Sequence, residues 1–171
     1  MPNVEVAPRS RKDISKLAFE IRKILGLQNV LYIDVLKLVE NILPQIWDDY
    51  CFDVCPREEM GDNHGLSINH TIQIREDVYD GAEVGEGRDR LTIIHELGHL
   101  LMHSNAPKAL ARGKVITYKD PEWQATAFAG EFLMPQHLVI NMNDYEIACE
   151  CGVSLPAAKY QLSKIKKIER S

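Results

Sequence analysis

The chain has no run of about 18 apolar residues, the length a helix needs to cross the hydrocarbon of a bilayer, and Met1 to Arg11 holds no apolar core of the kind a secretory leader requires. Both absences point to a cytoplasmic protein. Positive charge is also short. Twenty Lys and Arg stand against 25 Asp and Glu, a net charge of -5, which leaves no electrostatic footprint for a nucleic acid. Lys159, Lys164, Lys166, Lys167 and Arg170 gather near the end of the sequence, but such a run reads as a solvated helix face. Cysteine is scarce and poorly spaced for metal: Cys51 and Cys55 form C-x3-C, and Cys149 and Cys151 form C-x-C. Neither matches the C-x2-C of structural zinc sites, so free reduced thiols are expected.

What is present is an ordinary globular composition. With 171 residues, 45% hydrophobic and 26% charged, the chain can bury one sizeable core. Ile14, Leu17, Ala18, Ile21, Ile24 and Leu25 recur at helical spacing between Ser10 and Leu27, with Gly26 as a stop. A second helix is expected over Asp34 to Leu43, closed by Pro44. Gln45 to Phe52, Gly65 to Asn69 and Thr71 to Arg75 read as short strands, the last two forming a hairpin about Asn69-His70. Asp80 to Gly87, with three glycines, reads as a loop, and Ser104 to Lys119 as a looser stretch.

The most informative segment is LTIIHELGHLLMH, from Leu91 to His103. Ile94, Leu97, Gly98 and Leu101 supply an apolar stripe, so the segment reads as a core helix. His95 and His99, four apart, then share one face, where two ring nitrogens can reach a single tetrahedral Zn²⁺. Glu96 lies about 100° around the same helix, beside the metal and not under it, where it can take a proton from an activated water. A pattern with two free positions arises by chance in many helices, but two imidazoles on a largely buried helix are costly without a partner, and a metal provides one.

Two His leave a catalytic zinc site one protein ligand short. A third His six residues beyond the second is absent, since position 105 is Asn105 and position 102 is Met102. An acidic residue on a following helix is the alternative. Asp120-Pro121 signals the start of a helix running to Met134 and stopping at Pro135. Its small residues Ala125, Thr126, Ala129 and Gly130, with Gly98 on the His helix, would let the two helices meet closely. Glu122 then fits as third ligand. Asp120 is better used as the helix cap, Glu131 sits two turns further on, and His103 lies too far down the His helix to share an ion with His95. His64, His70 and His137 have no partner at ligand spacing and read as surface or turn residues.

The string RLTIIHELGHLLMH from Arg90, followed by EWQATAFAGEFLMP from Glu122, resembles the paired signature of the ImmA/IrrE metallopeptidases of mobile elements and stress responses. Gly152-Val153-Ser154 leading into a helix is similar too, and the likeness covers roughly Leu66 to Leu162. The resemblance implies an α+β fold: a mainly helical zincin-like core, with a small β-sheet beside the HExxH helix and a C-terminal helix-turn-helix-like segment. A metallopeptidase domain over 1–135, with 136–171 packed on it as a helical segment, would follow. It also implies one Zn²⁺, with Mn²⁺ or Fe²⁺ able to occupy the same set, held by His95, His99 and Glu122, and Glu96 as general base. One departure is Thr126, where the family commonly has Asn.

Family members cleave helix-turn-helix transcriptional repressors, so the implied function is a zinc metalloendopeptidase that relieves repression of a mobile element or stress operon. A peptide would align along an exposed strand edge within Gly65 to Arg75, and Tyr118 or His103 could donate to the oxyanion. The alternative, from another class, is a metal-stabilised binding module that antagonises a repressor by contact alone, through the helices at Asp144 to Cys151 and Ser154 to Glu169.

Overall fold

Ser10 opens α1 (Arg11–Ile24) through a reciprocal cap: its hydroxyl accepts from the Asp13 N–H, and the Asp13 carboxylate accepts from the Ser10 N–H at 2.9 Å. A computed structural model of the chain describes residues 3–4, 6–103, 110–111 and 117–169. The expected apolar stripe of α1 buries Ile14 and Ala18 but leaves Ile24 73% exposed. Arg22 is buried instead, donating to the carbonyls of Phe132, at 2.6 Å, and Val30. Burial pulls its pKa down to about 10.

The second helix does not close at Pro44. After α2 (Val35–Lys37), capped by Asp34, a π turn (Leu38–Ile42) carries the chain into α3 (Leu43–Ile46). In that wider turn the Leu43 N–H reaches back to Leu38 O, and Pro44, which has no N–H to give, sits in the first turn of α3. The strand expected from Gln45 therefore starts later, as β2 (Cys51–Cys55). Tyr50, stacked on Trp47 and donating to Val39 O at 2.7 Å, holds the bend between them.

A one-turn helix, α4 (Arg57–Met60), leads to the hairpin β3 (Gly65–Ile68) and β4 (Thr71–Arg75). Asn69 and His70 both have positive φ, 48° and 64°, the two-residue turn whose twist suits a hairpin. The sheet order is β2-β4-β3, with β2 parallel and β3 antiparallel to β4, so β4 is central and buries Ile72 and Ile74 fully. β3 is an edge.

The loop expected over Asp80 to Gly87 is largely helix. α5 (Glu76–Glu83) runs through Gly81, and α6 (Gly87–His103) begins at Gly87. Both glycines mark close approaches and not flexible chain. A Cβ on Gly81 would lie 1.8 Å from Asp89 Oδ2, and one on Gly87 2.5 Å from Ser154 N. Of the stretch Ser104 to Lys119, only β5 (Leu110–Ala111), paired antiparallel with β1 (Asn3–Val4), and a 3₁₀ turn (Thr117–Lys119) are described. The rest of it lies outside the described residues.

The chain ends with α7 (Pro121–Leu133), α8 (Gln136–Val139), α9 (Asp144–Cys151) and α10 (Leu155–Glu169). Asn143 caps α9 reciprocally with Glu146, and Gly152 turns the chain in the left-handed conformation between α9 and α10. Ile147, Cys151, Ala158 and Ile165 join the same core cluster as Ile93, Leu97 and Phe128. The architecture is thus α+β, mainly helical with a three-stranded sheet beside α6. Among the described residues no helix is long and apolar enough to cross a membrane. Cys51, Cys55, Cys149 and Cys151 are all free.

Candidate metal centre

α6 buries Ile93, Ile94, Leu97, Gly98 and Leu100 and turns His95 and His99 toward a cleft of about 1040 Å³. α7 crosses it tightly. A Cβ on Gly98 would stand 3.0 Å from Phe128 Cδ1, so the glycine admits the Phe128 ring. Ala129 and Thr126 face the cleft, whereas Gly130 makes room for Gln161 on the other side of α7 and not for α6, a correction to the expected small-residue stripe. Asp120 caps α7 by accepting from the Glu122 N–H at 2.9 Å, with Pro121 in the first turn, and so sets Glu122 facing α6.

His95, His99 and Glu122 thereby converge. Glu122 Oε2 is 3.0 Å from His95 Nε2, Glu122 Oε1 is 3.0 Å from His99 Nε2, and the two Nε2 atoms are 3.1 Å apart. Ligands about 2.0–2.1 Å from a tetrahedral Zn²⁺ stand roughly 3.3 Å from one another, so this donor set fits one such ion. It is a group that could hold a metal. The electrostatics agree. The hydrogen bonds and charges of His95 and His99 hold the Glu122 carboxyl well below the usual carboxylate range. Burial pushes the His99 imidazole pKa down, but the hydrogen bond and charge of Glu122, with Glu96 and Asp120 adding, outweigh it and raise it. Thr126 Oγ1 lies 3.3 Å from His95 Nδ1, at the other end of that ring.

Glu96 is 7% exposed and points between α6 and β3. The Ser67 hydroxyl sits 2.8 Å from Glu96 Oε2 and 2.7 Å from the Glu96 carbonyl, sharing its proton between them. Gly65 packs on the same side chain, where a Cβ would meet Glu96 Cγ at 2.7 Å. The strand edge is therefore built around this carboxylate, and Gly65, Leu66, Ser67 and Ile68 line the cleft beside it.

The other acids and imidazoles go elsewhere. Glu131 is buried against Arg11, 2.9 Å away, and burial raises its pKa. His70 packs on Trp47, and His137 donates to Gln28 O at 2.6 Å. His64 lines the cleft, which the sequence did not suggest. Tyr118 is not among the residues lining it. Both nitrogens of His103 are engaged, Nδ1 with His99 Nδ1 at 2.9 Å and Nε2 with Gln124 Oε1 at 2.9 Å. Burial pulls the His103 pKa down to about 4 against the pull of that amide. Of the two residues expected at the oxyanion, His103 lines the cleft with both nitrogens already engaged, and Tyr118 lies outside the lining. Ser67 and Gln124 were missed from the sequence. The signal for Gln124 is polarity among the apolar Ala125, Ala127 and Phe128, and Ser67 on its edge strand carries none.

A family model described as the IrrE N-terminal-like domain, of a peptidase family, matches residues 58–163. The chain belongs to this metallopeptidase-type family. No curated protein matches it. The matched span runs from α4 to α10 and so takes in the sheet edge, α6, α7 and the C-terminal helices.

Proposed function

We propose that this protein is a cytoplasmic zinc metalloendopeptidase that cleaves a helix-turn-helix transcriptional repressor and so relieves repression of a mobile element or stress operon. His95, His99 and Glu122 are its metal ligands and Glu96 its general base. The observation that carries the reading is the three-way convergence of His95, His99 and Glu122 next to a carboxylate that is itself oriented by a strand edge.

When bound, a divalent ion supplies Lewis acidity, lowering the pKa of water and polarising a carbonyl; zinc is the default for this donor set, with Mn²⁺ or Fe²⁺ as substitutes. The protein's own residues do the rest. The open side of β3 offers main-chain N–H and C=O groups to an extended substrate peptide, which sets the scissile carbonyl over the cleft. Glu96, held by Ser67 at Oε2, takes the proton of the attacking water on its carboxylate and returns it to the departing amine.

The test is coexpression with a candidate helix-turn-helix repressor. Wild type is expected to yield two repressor fragments. Glu96→Gln should lower cleavage by about 10²- to 10⁴-fold while leaving metal content unchanged. Derepression that survives Glu96→Gln with the repressor intact supports the contact-only binding module in its place.

A further inference from the structure

We infer that His103 and Gln124 are positioning residues that fix the tautomer of His99 and so present its Nε2 lone pair to the metal. The inference rests on the proposed metal reading of His95, His99 and Glu122. His103 and Gln124 lie outside that set, and the hydrogen bonds they make determine the tautomer.

Gln124 is fully buried, and its Nε2 donates to two carbonyls, Ala7 O at 2.9 Å and Tyr118 O at 2.8 Å. Carbonyl oxygens only accept, so rotating the amide by half a turn would set oxygen against oxygen at both places, and the orientation is determined. Gln124 Oε1 must then face His103 Nε2, 2.9 Å away, and as an acceptor it requires that nitrogen to carry hydrogen. A neutral imidazole has one N–H, so His103 Nδ1 is left with its lone pair. That lone pair lies 2.9 Å from His99 Nδ1, which must therefore be the donor. With its hydrogen on Nδ1, His99 offers a bare Nε2 to the point where Glu122 Oε1 and His95 Nε2 converge. Glu122 Oε1 stands 3.0 Å and His95 Nε2 3.1 Å from that nitrogen, so a metal ion placed among them would meet the His99 lone pair.

The relay also links the site to two segments outside α6 and α7. Ala7 precedes α1, and Tyr118 lies in the 3₁₀ turn that leads into α7. The groups that orient a metal-binding imidazole in this way commonly change metal affinity when removed, by about 10- to 100-fold.

The experiment measures Zn²⁺ affinity of the full chain by competition with a chromophoric chelator, using wild type, His103→Phe, His103→Gln and, as a control, His95→Ala. Phe keeps the ring volume and loses both nitrogens, so Zn²⁺ affinity should fall by about 10- to 100-fold with the metal-free unfolding temperature little changed. Gln carries an acceptor and a donor at nearly the separation of the two ring nitrogens, so it should recover most of the loss. A His103→Phe protein that binds Zn²⁺ as tightly as wild type overturns the inference, whereas wild type that binds no Zn²⁺ overturns the metal reading itself.

Should His103→Phe fail to fold, wild type alone decides. A long-range ¹H–¹⁵N spectrum reports the tautomer of each ring. His103 with hydrogen on Nε2 and His99 with hydrogen on Nδ1, in the Zn²⁺-loaded protein, are the expected result. Hydrogen on His103 Nδ1 sinks the relay.

Discussion

A Cβ at position 65 and a carboxylate at position 96 cannot share the same space, since the nearest approach would be 2.7 Å to Glu96 Cγ and 3.1 Å to Ile74 Cδ1. Gly65→Ala should therefore push Glu96 away from Ser67 and lower turnover by about 100-fold, the scale of a 1 Å misplacement. Zn²⁺ affinity should hold, because none of the three donors moves. Turnover and chelator competition on the same preparation check this, and an unchanged turnover number would show that Glu96 needs no fixed place. The contrast between these residues also shows what the sequence could reveal. His95, Glu96 and His99 were legible because a helix converts their spacing into a shared face, and Glu122 because Asp120-Pro121 announces where its helix begins. Gly65, Ser67 and Gln124 were not, because their roles depend on contacts across 29, 31 or 117 positions that no local pattern encodes.

Elements were legible where their ends are capped by their own residues. Ser10 with Asp13, Asn143 with Glu146 and the Asn69-His70 turn all act locally. Gly81, Gly87 and Pro44 misled for the opposite reason: in isolation they break helices, and here tertiary neighbours or a π turn accommodate them. The crossing of α6 and α7 is the element contact on which the site depends. Gly98→Leu would drive a side chain into Phe128, with a cost of about 1–3 kcal/mol for overpacking, and would carry Glu122 away from both rings. Stability and Zn²⁺ affinity should fall together, read by urea unfolding and chelator competition. A variant with native affinity would mean that the crossing does not set the third donor. The hairpin is held differently. Arg75 grips the Asp77 carboxylate through two nitrogens, at 2.5 and 2.9 Å, and Gly61 O at 2.7 Å. The Arg75 hydrogen bond lowers the Asp77 pKa from 3.8 to about 2. A carboxyl whose folded pKa is depressed stabilises the fold above its unfolded pKa and loses that contribution as pH falls through the folded one. The gap in urea midpoint between wild type and Asp77→Asn should be full above about pH 4 and close toward pH 2; a gap that widens on acidification contradicts the pairing.

At the scale of the whole molecule, Arg90 joins three parts of the chain. Its guanidinium donates to Ile33 O at 2.8 Å, Gly152 O at 2.8 Å and Cys151 O at 3.2 Å, and lies 4.0 Å from the centre of the Tyr32 ring. The N-terminal helices, α6 and the turn between α9 and α10 thus meet on one buried side chain. Burial lowers its pKa, yet it stays charged at any working pH. Arg90→Met would fill much of the volume but strand three carbonyls, each costing about 1–3 kcal/mol when left unsatisfied and not strictly additive. A net loss of about 3–5 kcal/mol is expected, a large share of the 5–15 kcal/mol that holds a typical domain folded. If residues 136–171 fold as one unit with the rest, unfolding of the variant should remain a single transition at a lower denaturant midpoint. Two transitions would show a C-terminal segment that folds alone. Arg90 touches none of the three donors, so metal should bind the folded variant as it binds wild type. Zn²⁺ at 1,000 times its Kd then returns about 4 kcal/mol through linkage, which nearly cancels the loss. Denaturation curves with and without Zn²⁺ therefore separate the two contributions: recovery of the midpoint by metal is expected for Arg90→Met, and its absence would mean that Arg90 shapes the metal centre as well as the fold.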